Sequence, residues 1–315
     1  MTVIAELTSP GLMTTLQDLG RPGMRHLGVP LSGAADPLSL ALANAATGNA
    51  PDAAGLECTL KGPSLRFKTA ASFALGGADM KATLNNEPLD LYRQHHAQAG
   101  DVLGLCSAQT GARAYIAFAG GLRGEDFLGS CSTYIPATLG GHKGRALIAG
   151  DDILSAGLAV ASPQDIPITL RPNIAHDFFL HALPGPEAAQ LSDVSLTDLF
   201  ATGWTVGRRA DRMGVQIIGE ALCLQDTPPM ASSPVFPGTI QCPPDGKPFL
   251  LLCDAQTVGG YPRIAQVIAA DLHLAGQMRP GDRIWFQKIT PEAARDIAQQ
   301  RASFYGDLFP GGFFR

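Results

Sequence analysis

The chain reads as a mainly β protein with a few helices, arranged as two domains. Three observations carry that expectation. Short apolar or alternating runs recur between Gly, Pro, Asp and Asn turn signals, which is how strands and their connections look in sequence. The composition is 45% apolar and 16% charged, with 36 Gly and 24 Pro, and suits a turn-rich globular chain better than a helical bundle. The length of 315 residues exceeds the about 150 that a single core comfortably holds.

In chain order, the first element with a readable start is a helix. Asp36 offers an N-cap carboxylate ahead of Pro37, Leu38, Leu42 and Ala45 repeat at helical spacing, and Gly48 stops the run. Strand candidates follow at Leu65-Arg66-Phe67, Phe73-Ala74-Leu75 and Tyr115-Ile116-Ala117-Phe118. A polar, proline-containing stretch at 161–165 is the least regular part of the chain, and strand-like patterning restarts at 166–170. The expected domains are therefore 1–165 and 166–315. Further strands are expected at Phe178-Phe179-Leu180, Val215-Gln216-Ile217-Ile218, 249–253 and Ile284-Trp285-Phe286. A helix is expected from Pro262, with Ile264, Val267, Ile268 and Leu272 on one face, and another from Thr290-Pro291-Glu292. Three times a Gly-Asp pair launches a run, at Gly100-Asp101, Gly150-Asp151 and Gly281-Asp282. Gly accepts positive φ there and Asp can bond the turn backbone, so the recurrence hints at duplicated β architecture.

Charge and motifs remove several function classes. Twenty-eight acidic against 23 basic side chains give a net charge of −5 with no basic cluster, so there is no electrostatic footprint for nucleic acid or an anionic membrane. The six cysteines form no CxxC pair and sit mostly in apolar runs, as reduced core residues do. No stretch of 18 apolar residues occurs, and the expected location is the cytoplasm. Gly246-Lys247-Pro248 carries proline where a phosphate loop needs a hydroxyl, and neither GxGxxG before a helix, GxSxG nor HExxH is found. His176 and His181 flank a strand-like run whose alternating faces separate them, so no metal site is expected.

Polar residues concentrate in one segment. A buried strand runs into Asp254-Ala255-Gln256-Thr257-Val258-Gly259-Gly260-Tyr261, ahead of the helix expected at Pro262. A helix N-terminus exposes unpaired N–H groups, so this stretch suits a carboxylate, a phosphate or a developing oxyanion. A tight strand-to-helix turn capped by Thr257 or Tyr261 explains the same residues. Asp211-Arg212-Met213-Gly214 pairs acid and base before Gly, as many surface turns do. Gly140-Gly141-His142-Lys143-Gly144 has the glycines of a phosphate cradle but the spacing of none. Cys131, within Gly129-Ser130-Cys131-Ser132-Thr133, has no neighbouring base in sequence to activate it.

Ordered motifs then point to a family. Thr14-Thr15-Leu16-Gln17-Asp18-Leu19-Gly20-Arg21, Ser32-Gly33-Ala34-Ala35-Asp36 and Leu56-Glu57 open the resemblance, and Leu128 to Thr133 and Leu139-Gly140-Gly141 continue it. Asp211 to Gly214, Pro237-Gly238-Thr239-Ile240-Gln241 and the segment from Asp254 to Pro262 complete it. Together they resemble the family of 5-oxoprolinase C subunits, which includes allophanate hydrolase subunit 2, the biotin-dependent carboxyltransferase domains of urea amidolyase and an antagonist of a kinase inhibitor. The chain departs from the family at Cys131, where arginine is usual, at Ser233, where glutamate is usual, and at Ala35, where methionine is common.

The resemblance implies two cyclophilin-like β-barrel domains in tandem, and work beside an A-type partner and a B-type partner, the latter of the allophanate hydrolase subunit 1 kind. The implied activity is the ATP-dependent opening of 5-oxo-L-proline to L-glutamate, with ATP bound with or by the partners. The alternatives are a carboxyltransferase acting on urea or a similar amide, with biotin on another chain, or a regulator binding a kinase-inhibitor-like B-type partner. All three are compatible with a homo-oligomer. Asp254, Asp211, Arg212 and Thr257 are the expected catalytic residues, and Gln241, Gln256, Gly259, Gly260, Tyr261, Glu57 and Ser132 the expected substrate contacts. Every candidate substrate carries an N–C=O unit, so the expected chemistry donates to its oxygen and accepts a proton from its nitrogen side.

Overall fold

A computed structural model describes residues 2–225 and 230–313. The chain forms two compact units, Met1–Arg21 with Ser32–Ile174, and Pro22–Leu31 with Ala175–Arg315. The mainly β expectation holds in both. The stretch around residue 165 stays with the first unit because Ala161 N bonds Gly48 O, Gln164 N bonds Ala45 O and Ile166 N bonds Tyr92 O. No strand restarts at 166–170; Pro167 cannot donate to a ladder, and Ile168–Leu170 is a single 3-10 turn.

The first unit is built from two antiparallel sheets around one core. In spatial order the six-stranded sheet runs Asp152–Leu154, Val3–Ser9, Ser64–Phe67, Val102–Gly104, Thr83–Leu84 and Glu87–Pro88. The five-stranded sheet runs Met13–Gln17, Gly55–Thr59, Arg113–Phe118, Ala71–Gly77 and Gln94–Ala97. Leu7, Leu56, Leu65 and Ile116 fill the core with an aromatic trio, Phe67 to Phe73 at 5.5 Å and to Phe118 at 6.3 Å. The first helix starts as read: Pro37–Ala46 is capped by Asp36, whose Oδ1 accepts from Ser39 N at 2.9 Å. It is buried nearly all round against Arg113–Phe118 and Ala71–Gly77. Gly76 makes that approach feasible, since a Cβ there would stand 2.6 Å from Ser39 O.

The three Gly-Asp pairs form one recurring module. In the first, Asp101 N bonds Gln98 O at 3.1 Å while Gln98 N bonds Asp101 Oδ2 at 2.7 Å, closing a turn with Gly100 at φ +97°. Gly100 N and Asp101 O then bond Phe67 O and N at 2.8 and 2.9 Å, locking the turn to a strand. The same four bonds recur at Gly150-Asp151 against Leu7 and at Gly281-Asp282 against Val206. Glycine at positive φ in the third position is the requirement of a type II turn, and Pro280 occupies the position before it in the last copy. Two copies lie in the first unit and one in the second, and each launches a strand as expected.

The second unit is a closed seven-stranded barrel. Its order is Asp177–Pro184, Arg263–Val267, Thr239–Gln241, Phe249–Leu251, Gly214–Ile218, Trp204–Ala210 and Arg283–Lys288, which closes parallel onto Asp177–Pro184. Leu180, Trp204, Ile240, Leu250, Ile264 and Phe286 meet inside. The helix expected from Pro262 is a strand, Arg263–Val267, and this corrects the sequence reading. Its residues fit helical spacing, but Ile264, Ala265 and Val267 are buried in the barrel while the backbone pairs with strands on both sides. Ladder bonds available only in the fold override the local period. Helix returns after this strand as the 3-10 turn Ala269–Asp271, which runs into the short helix Leu272–Ala275. The last helix forms where expected, Pro291–Phe304, with the Thr290 hydroxyl accepting from Ala293 N at 3.3 Å. Among the described residues, no helix is long and apolar enough to cross a membrane.

Candidate functional site

A cleft of about 840 Å³ opens on the second unit, within the size range of small-molecule sites. Four barrel strands and the loops leaving them build it. Leu251 and Phe249 supply an apolar wall, with Met213, Pro243 and Pro244. Polar groups come from Arg209, Asp211, Gln241, Asp245, Gln256 and Tyr261. Four of the residues expected from sequence, Asp211, Gln241, Gln256 and Tyr261, therefore converge on one cavity.

Asp211 sits at the turn between Trp204–Ala210 and Gly214–Ile218. Its Oδ1 accepts from Met213 N at 2.7 Å and from Gly214 N at 3.1 Å, a local bond that short acids favour in turns. Gln241 is buried and links two loops: its Nε2 donates to Tyr261 O at 3.2 Å, and its Oε1 accepts from Gln256 Nε2 at 3.1 Å. Gly259 keeps this amide ladder in reach, because a Cβ there would stand 2.5 Å from Gln241 Nε2. Val258–Gly259 is itself a short strand pairing with Ser233–Pro234.

Arg212 and Asp254 stand behind the cleft and not in its lining. Arg212 Nε donates to Asp254 Oδ2 at 2.8 Å and Nη2 to Oδ1 at 3.1 Å, with both side chains nearly buried. Asp254 N also bonds Arg212 O, so the two-pronged pair staples the Asp211 turn to the end of the Phe249–Leu251 strand. Thr257, Gly259 and Gly260 likewise fall outside the cleft lining, and a strand, Arg263–Val267, stands where a helix N-terminus is expected to follow this segment.

Glu57 and Ser132 belong to the first unit and to buried networks there. Glu57 Oε2 accepts from Ala35 N and from Tyr115 Oη, both at 2.8 Å, and Arg113 Nε lies 3.6 Å from its Oε1. Ser132 Oγ donates to the Asp18 carboxylate, which also accepts from Ser130 Oγ at 2.6 Å, Cys131 N at 2.8 Å and Gly20 N at 2.7 Å. Burial, with Asp18 close by, pushes the Cys131 thiol up to about 12, so it stays protonated and unreactive at neutral pH. Among the described residues, no group of three or more His, Cys, Asp or Glu is arranged to hold a metal ion.

Two contributors escape a reading of the sequence. Arg25, from the short segment Pro22–Leu31, donates to Val235 O and, at 3.0 Å, to Gln256 O, while its guanidinium lies over the Phe236 ring at 5.2 Å. It anchors the backbone of a cleft residue from more than 200 positions away, which no local pattern encodes. Arg209 is the second. Only the adjacent basic pair Arg208-Arg209 ending a strand marks it, and strand alternation alone does not say which of the two enters a cavity.

The family described as "Carboxyltransferase domain, subdomain A and B" matches residues 27–288. The chain is 35% identical to the C subunit of the Haemophilus influenzae 5-oxoprolinase, over 93% of this chain and 94% of that one. It is 34% identical to the C subunit of the Escherichia coli 5-oxoprolinase, over 95% of each. The K. lactis urea amidolyase superposes with a TM-score of 0.93 at 29% identity, over 98% of this chain, which spans 20% of that much longer one.

Proposed function

Since the chain belongs to the family of carboxyltransferase domains of subdomain A and B type, we propose that it works as the C subunit of a 5-oxoprolinase, helping to open 5-oxo-L-proline to L-glutamate. A-type and B-type subunits are its partners, and turnover requires them. The carrying observation is the reciprocal match to two 5-oxoprolinase C subunits, which leaves little of either partner in each pair unaligned.

The cleft suits the chemistry. A lactam presents a carbonyl oxygen beside an N–H. The Gln256 and Gln241 side chains form a hydrogen-bonded amide ladder, the kind of preorganised donor and acceptor array that holds such a unit in register. Asp211 is the carboxylate of the expected set that lines the cavity, and it is the proton acceptor in this reading. Arg212 and Asp254 act one step removed, as positioning residues that fix the turn on which Asp211 rides. Met213, Phe249 and Leu251 exclude water from one side.

ATP would supply the driving force for lactam opening in such a complex, and the glycine-rich loop at 140–144 is not built as a triphosphate cradle. The glycines at 140–144 serve the fold of their own loop: a Cβ on Gly141 would stand 1.9 Å from Thr133 Oγ1, and one on Gly144 2.1 Å from the Thr138 carbonyl carbon. Arg145, beside them, is committed to Asp151 through two bonds of 2.7 and 2.8 Å. We therefore assign ATP to the partner subunits. The test is reconstitution with A- and B-type subunits. ATP-dependent glutamate release from 5-oxo-L-proline only when all three chains are present is the expected result, and its absence from the full set rejects the reading.

The TM-score of 0.93 to a urea amidolyase favours a second reading, a carboxyltransferase acting on urea or a similar amide with biotin carried by another chain. Bicarbonate-dependent consumption of urea in the presence of a biotinylated carrier and a biotin carboxylase would select it.

A further inference from the structure

Among the described residues that line the cleft, Arg209 is the cation, and its setting is specific. It lies where the strand Trp204–Ala210 breaks register against Gly214–Ile218: from Val206 to Ala210 one strand advances four residues while its partner retreats two, from Ile217 to Val215. Such bulges swing side chains out of the regular alternation and are frequent beside functional sites. The guanidinium lies over the Phe249 ring at 5.0 Å, and its Nε donates to Gln216 Oε1 at 3.1 Å. Two contacts thus restrain the guanidinium. Neither terminal nitrogen has a bond or an ion pair with any described residue.

The cleft holds two carboxylates as well, and neither is an ion-pair partner of Arg209. Asp211 Oδ1 accepts the Met213 and Gly214 N–H groups, and Asp245 Oδ1 accepts from Lys247 N at 3.2 Å. A planar fork lying over an aromatic ring, on a residue that lines the cavity, matches a carboxylate bidentately. Urea offers no anion to such a fork, whereas 5-oxo-L-proline carries a carboxylate on the carbon next to its lactam nitrogen.

We propose that Arg209 is the specificity-determining residue of this cleft, clamping the carboxylate of an amide substrate so that its N–C=O unit lies on the Gln241 and Gln256 ladder. The inference rests on the 5-oxoprolinase reading for its substrate and goes beyond it in naming the group that distinguishes an acidic lactam from a neutral amide. Phe249 and Gln216 position the clamp.

The experiment is equilibrium titration of the reconstituted complex with 5-oxo-L-proline and with 5-oxo-L-prolinamide, the same lactam without the charge. Arg209→Gln weakens binding of the acid by about 10- to 100-fold, the range expected for losing hydrogen bonds to a charged group, and leaves the amide unchanged. Arg209→Lys falls between, since a point charge keeps attraction but loses the fork. Arg208→Gln, a neighbouring exposed arginine outside the cleft lining, has no effect on either ligand. Equal weakening of acid and amide, an equal effect of Arg208→Gln, or no effect of Arg209→Gln overturns the clamp. Failure to release glutamate while acid binding still depends on Arg209 would instead overturn the 5-oxoprolinase reading and leave the clamp standing.

Discussion

At the scale of single residues, the fold redistributes roles that look equivalent in sequence. Asp211 and Asp254 both read as acids near glycines, yet one lines the cleft and the other is consumed by Arg212. Removing one member of a buried two-pronged ion pair typically costs about 3–5 kcal/mol. Asp254→Asn is therefore expected to lower the unfolding free energy of the purified chain, measured by urea titration, by that order, with turnover falling in parallel as the Asp211 turn loosens. Replacing both members by apolar residues of similar volume should cost less than the single change, because the desolvation of both charges is removed together. A single variant as stable as wild type would show that the pair is not what holds this turn. Cys131 illustrates the same point from the other side. The Asp18 carboxylate accepts from both its N–H and its thiol, so the departure from the family's arginine changes local charge without creating a nucleophile.

At the scale of elements, the Gly-Asp module is the part of the architecture most directly written in the chain. Three tetrapeptides ending in Gly-Asp fold into the same turn, with the same aspartate bond and the same pair of bonds to a strand. The three glycines have φ of +97°, +90° and +96°, and nothing stands within 4 Å of a Cβ at any of them. Gly100→Ala, Gly150→Ala and Gly281→Ala should then be penalised by backbone strain alone, about 1–2 kcal/mol each and nearly equal. Urea unfolding of the three variants measures this, and a variant that costs nothing would break the equivalence of the module. The opposite case is Arg263–Val267. Its apolar residues satisfy a helical period and a strand alike, and it becomes a strand because only that form closes the barrel between Thr239–Gln241 and Asp177–Pro184.

At the scale of the whole molecule, each of the two compact units holds a large apolar core. Phe118 lies in the first and Phe286 in the second, both almost fully buried, and the two cores share no residue. Phe118→Ala and Phe286→Ala should each cost about 3–5 kcal/mol in their own unit. The losses should add to within about 0.5 kcal/mol in the double variant, as independent sites do. A large coupling energy in the unfolding data would contradict separate cores. The sequence by itself determined the mainly β class, the capped helices at Pro37 and Pro291, the Gly-Asp turns and the family, because each is carried by local backbone chemistry or by ordered motifs. Only the tertiary structure decided which polar residues share a cavity. Arg209 enters through a register break, Arg25 arrives from a distant segment, and Asp254 leaves the set by pairing with Arg212. Such placements depend on pairings between residues far apart in the chain, and the energies that choose them exist only once the barrel has closed.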